Sequence, residues 1–169
     1  MPRSKRTTSN AGDAPADVAP VFNALRRLVH VMHAASRESE RRLGVTGAQL
    51  FVLTQLRATP SMSVNALAER TMTHQSTVSV VVRRLVRRKL VKKVRAEDDA
   101  RRVELTLTPT GAALLRRAPE VMQVRLARAI ECMDPADRAA LARGLGYLVT
   151  ELGADHTPAA MFFELARSR

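Results

Sequence analysis

Ser63-Val-Asn-Ala-Leu-Ala-Glu-Arg70 and, after a gap of four residues, Gln75-Ser-Thr-Val-Ser79 decide the fold. Ser63 is an N-cap residue whose hydroxyl can accept from a free first-turn amide, so a short helix runs from it to about Arg70. Thr71-Met-Thr73 is a tight connection. Thr73 or His74 then opens a longer helix to about Lys89, with Val78, Val81, Val82 and Leu85 at helical spacing. Leu67-Ala68 supplies the apolar and small residues needed where two helices meet closely. The pattern predicts two helices joined by a turn, the second with one apolar face.

Downstream, Val91 and Val94, then Val103, Leu105 and Leu107, predict two short strands around the polar tip 96–102, a hairpin. Thr108-Pro109 starts a long amphipathic helix to about Met133, kinked at Pro119, and Asp134-Pro135 starts a last helix to about Leu152. The apolar tail 158–165 is a further helical segment. Upstream, Asp17 caps a first helix that ends at Gly44, and Thr46 with Gln49 forms a capping box for a second helix that stops before Pro60. Residues 1–16 are polar and read as a disordered basic arm. The predicted fold is mainly α with a small β-hairpin wing. It divides into the arm (1–16), a first helix (17–45), a helix-turn-helix lobe with its hairpin wing (46–108) and C-terminal helices (109–169).

The 169 residues include 28 Lys or Arg against 16 Asp or Glu, a net charge of +12. Residues 83–102 hold ten basic and three acidic side chains and so carry +7 of it. Charge concentrated this way attracts polyanions, by Coulomb attraction and counterion release. A membrane surface is the poorer partner, because the segment lacks the large apolar anchors that binding there needs. One cysteine, Cys132, precludes an intrachain disulfide and fits a reducing cytosol. Its acidic neighbours and helix-end position disfavour a thiolate, so it reads as structural. No phosphate-binding Gly loop, zinc-protease motif or paired-carboxylate motif points to an enzyme, and no cofactor is implied. With 3% aromatics and no Trp, the core must come from Leu, Val, Ala and Met.

The second helix of the pair presents Gln75, Ser76, Thr77, Ser79, Val80, Arg83, Arg84 and Arg87 away from its apolar stripe. Amides and hydroxyls stand near its start, guanidinium groups further along. Such a face can bond base edges with the first set and phosphates with the second. Ser76 and Thr77 serve equally well as first-turn caps, and Val80 as an ordinary surface residue. On the hairpin, Arg101 and Arg102 can reach a minor groove, and Asp99, two residues before Arg101, can orient it.

These pieces, with Arg84-Leu-Val-Arg-Arg-Lys-Leu-Val91, Asp99-Ala-Arg101 and Leu107-Thr-Pro-Thr-Gly111, resemble in order and spacing the MarR (multiple antibiotic resistance regulator) family. The resemblance implies a homodimeric regulator whose first helix (17–45) and C-terminal helices (109–169) serve dimerisation and whose winged helix-turn-helix lobe (46–108) binds a pseudo-palindromic operator in double-stranded DNA, acting as a repressor and released by a small anionic aromatic effector. Two positions depart from the family pattern. Lys89 stands where Gly usually closes the recognition helix, so either Lys adopts an unfavourable backbone or the helix ends differently. Met72 fills a turn position where Gly is frequent.

Arg26, His30, His33 and Arg37 fall on one face of the first helix. They are a seat for an anionic effector or a solvated polar face. His30 and His33 also have zinc-ligand spacing, but no other His or Cys is placed to complete a site, so no metal is expected. The rival reading of the whole chain is a nonspecific architectural DNA binder, which needs no effector.

Overall fold

The computed structural model describes residues 18–95 and 102–156. The chain divides into two units, residues 1–34 and 35–169, with the boundary inside the first helix, α1 (Val18–Leu43). In the first unit α1 exposes Val21, Phe22, Leu28, Val29 and Val31. Arg26 lies over the Phe22 ring, 5.7 Å from its centroid.

In the second unit the expected capping box is present. Thr46 Oγ1 accepts from the Gln49 amide and Gln49 Oε1 from the Thr46 amide, both at 3.2 Å. It starts α2 (Gly47–Ala58), which is buried on almost every side. Around α2 gather Leu67 of α3 (Val64–Thr71), the Val78, Val81, Val82 and Leu85 stripe of α4 (Gln75–Arg87), and Leu105. Among the described residues, Phe51 is the one aromatic in this aliphatic core. Burying each large side chain contributes about 1.5–3 kcal/mol.

Both helices of the pair close through left-handed residues that are not glycine. Met72 (φ 52°) ends α3, with Thr73 N–H donating to Ala68 O at 3.0 Å. Lys89 (φ 57°) ends α4, with its own N–H to Val86 O at 2.9 Å and Leu90 N–H to Leu85 O at 3.0 Å. So α4 keeps the usual helix stop although Lys occupies it. An L-residue in that region costs about 1 kcal/mol. Lys89→Gly should therefore raise Tm by roughly 2–4 °C. A lower Tm in a thermal melt would mean that the lysine stem contributes more than the backbone strain costs.

Strands β1 (Val91–Arg95) and β2 (Val103–Leu107) pair antiparallel, Val91 opposite Leu107 and Arg95 opposite Val103. Met62, in the α2–α3 connection, bridges to Leu105 through two backbone bonds, an interaction that no local sequence pattern announces. Thr108 caps α5 (Pro109–Arg116), its Oγ1 accepting from Gly111 N–H at 3.0 Å. The first turn of α5 lies so close to the end of α4 that a Cβ on Gly111 would sit 2.3 Å from Leu90 O.

The long helix expected from Thr108 to Met133 is in fact two, α5 and α6 (Met122–Glu131). Pro119 has no N–H and its ring clashes with the carbonyl four residues back, and the residue before it avoids the helical region. The chain tightens instead, Arg117 N–H reaching Leu114 O and Ala118 N–H reaching Leu115 O, and restarts at Val121. The result is a break rather than a kink. Asp134 precedes α7 (Pro135–Glu151), which has no buried residue. Leu141, Leu145, Leu148 and Leu152 form an exposed row at i, i+4, i+7 and i+11, and Tyr147 is 65% exposed. The arm 1–16 and the tail 158–165 lie outside the described residues.

Candidate nucleic-acid interface

On α4, Ser76, Val80, Arg83 and Arg87 share one stripe at i, i+4, i+7 and i+11, opposite the buried valines and Leu85. Ser76, Arg83 and Arg87 are exposed and Val80 is half-buried. Gln75 and Ser79 flank the stripe on one side, Thr77 and the half-buried Arg84 on the other. The N-terminus of α4 is open. His74 occupies the cap without a side-chain bond, while Thr73 Oγ1 pairs with Thr71 Oγ1 at 2.8 Å. Unsatisfied amides and the helix dipole there favour an anion.

Arg88 belongs to the same charge run but has a different task. Its guanidinium donates to Gly44 O in the α1–α2 turn. Lys92, Lys93 and Arg95 on β1 are exposed and stand in the same basic segment, although no motif singles them out as contacts. Arg102, where the tip leads into β2, pairs with Glu104 at 3.2 Å. Asp99 and Arg101 lie outside the described residues.

The effector candidates stand on α1. In the first unit His30 is exposed and His33 half-buried, and in the second Arg37 is exposed. Among the described residues no three of His, Cys, Asp and Glu gather as metal ligands. Cys132, expected to be structural, is exposed, because α6 ends at Glu131 and leaves it as the cap residue. A cavity of about 570 Å³ lies between α2, the α3–α4 turn and α6, lined by Phe51, Gln55, Arg70, Met72, Val124 and Ile130 among others. Arg70 Nε donates to Gln55 Oε1 at 3.2 Å. No local pattern marks this cavity, since three separate elements build it.

Residues 43–102 match the MarR family model. In this segment the chain is similar to the MarR family. The HTH-type transcriptional repressor MdtR of Bacillus subtilis is 34% identical to this chain over 88 residues. That match covers 52% of this chain and 57% of MdtR, so it spans less than two thirds of that relative. The structure of Bordetella bronchiseptica BpsR, whose DNA binding is regulated by 6-hydroxynicotinic acid, is 29% identical with a TM-score of 0.52, covering 79% of this chain and 98% of BpsR. A mutant of Escherichia coli MarR, solved with operator DNA, superposes with a TM-score of 0.55 at 20% identity, over 83% of this chain and 99% of that one, a likeness of fold. No helix among the described residues is long and apolar enough to cross a membrane.

Proposed function

We propose that the chain is a sequence-specific transcription regulator that binds duplex DNA through α4 and the β1–β2 wing, as a repressor. The observation that carries this is the stripe of exposed Ser76, Arg83 and Arg87 with half-buried Val80, opposite the buried face of α4. Inserted in a major groove, it sets a hydroxyl and Gln75 toward base edges and guanidinium groups toward phosphates. The active form is a homodimer. The Leu141 to Leu152 row of α7, and separately Phe22, Leu28 and Val29 of α1, are apolar surfaces that a second copy would cover. Two copies would bring recognition helices to successive major grooves of a pseudo-palindrome.

A small anionic aromatic effector fits the cavity beside the α3–α4 turn, where Phe51, Met72, Val124 and Ile130 offer apolar contact and Arg70 positive charge. We favour it over the α1 residues, of which Arg26, His30 and Arg37 are exposed. An occupant there would bear on Thr71 to Thr73, the turn that sets the start of α4.

The test is fluorescence anisotropy with DNA flanking the protein's own gene, across a salt series, against random duplex, with sedimentation of free and bound protein. Preference for one site by about 4 kcal/mol or more, with two chains per site, is expected of a specific regulator. Equal affinity for both duplexes favours an architectural binder, and no binding at low salt overturns the proposal.

A further inference from the structure

Where the α2–α3 connection meets β2, three residues from two distant parts of the chain form a linked set. Ser61 lies in the α2–α3 connection with left-handed backbone, φ 61°. Its hydroxyl donates to Glu104 Oε2. Glu104 Oε1 pairs with Arg102 Nη2 at 3.2 Å. The backbone beside this set is fixed, with Met62 N–H donating to Leu105 O at 3.3 Å and Leu105 N–H to Met62 O at 2.8 Å. The Glu104 side chain is 19% exposed and that of Arg102 50%.

A carboxylate on a DNA-facing wing is a liability, since it repels the polyanion that the surrounding cations attract. Here each of its oxygens has a separate partner. One holds it to the body of the helix-turn-helix, and the other holds an arginine at the edge of the hairpin. A guanidinium has five donors in a rigid fork, so one carboxylate oxygen can orient it without exhausting it.

We propose that Glu104 is a positioning residue for DNA binding: anchored by Ser61, it aims Arg102 at the nucleic acid and so removes part of the ordering cost of that side chain. The inference rests on the DNA-binding reading above and deepens it, because it gives the wing a second oriented arginine whose support comes from the α2–α3 connection and not from the hairpin tip.

The sign of the effect tests it. If Glu104 acted only through its charge, Glu104→Ala would tighten DNA binding. Positioning predicts the reverse, a loss of roughly threefold to tenfold, the size expected when one long side chain must be ordered on binding. In an Arg102→Ala background the same change should instead tighten binding, since only the repulsion is left. Glu104→Gln keeps an acceptor for Arg102 and an amide that can donate to the Ser61 hydroxyl, and should restore most of the loss. The measurement is anisotropy with duplex flanking the protein's own gene, each variant first shown to have the parent's circular dichroism and melting curve. Should Glu104→Ala fold poorly, Ser61→Ala removes only the hydroxyl anchor and should weaken binding in the parent background but not in Arg102→Ala. Unchanged or tighter binding by folded Glu104→Ala, or by Ser61→Ala where that variant serves instead, overturns the positioning role while leaving DNA binding intact. Failure of the parent protein to bind the duplex at low salt overturns both.

Discussion

Gly111→Ala is expected to destabilise the protein by about 2–4 kcal/mol, enough to lower Tm by roughly 5–15 °C. A Cβ at this position would meet Leu90 O at 2.3 Å and Leu107 Cδ1 at 2.8 Å. The leucine methyl can swing aside, but the carbonyl cannot. Leu90 O accepts from Thr108 N–H at 3.1 Å and from Thr108 Oγ1 at the same distance, while Leu90 N–H closes α4 on Leu85 O. Relief would have to separate the first turn of α5 from the end of the recognition helix. A thermal melt with a Tm within a degree or two of the parent's would show that the two helices slide apart at little cost, and that Gly111 is not needed for their close approach.

The second large effect concerns binding. The double variant Arg83→Ala/Arg87→Ala should weaken duplex binding on the order of 100-fold per bound chain, as removal of two charge-assisted contacts from each implies. The slope of log K against log salt should fall in magnitude by about two units per chain, and so by about four for a dimer on one site. Arg88→Ala is the internal control. Its guanidinium is committed to Gly44 O, so its loss should lower Tm and leave the slope nearly unchanged. If Arg88→Ala reduces the slope as much as either stripe arginine, charge near the DNA matters and the α4 stripe has no special role.

The contrast between Arg83, Arg87 and Arg88 also marks where sequence reading stops. Periodicity places Val78, Val81, Val82 and Leu85 inside and the hydroxyls and guanidinium groups outside, because a helix fixes which residues share a face whatever surrounds it. Caps are legible for the same reason. Thr46 with Gln49, Ser63, and Thr108 ahead of Pro109 each satisfy amides within three residues. Arg88 cannot be separated from its neighbours by pattern, since its partner is 44 residues away, and Ser61 and Glu104 meet across 43. The cavity beside α6 and the Met62 bridge are likewise products of packing between elements. At Pro119 a disturbance can be located from the residue alone, but not its size. Whether proline bends a helix or divides it depends on what the freed carbonyls and the following turn can find to bond.

The aliphatic core has a consequence for observing this protein. Without tryptophan, and with a single tyrosine at 147 on the surface of α7, the chain's intrinsic emission originates far along the sequence from the recognition helix and the wing. Light absorbed by tyrosine but not by phenylalanine therefore probes one phenol ring and its immediate surroundings. Quenching or a spectral change there registers an event at α7, while the helix-turn-helix lobe, whose aromatic is Phe51, is silent at those wavelengths. Melting of that lobe is visible through backbone dichroism, and its engagement with a duplex only through a label carried by the DNA.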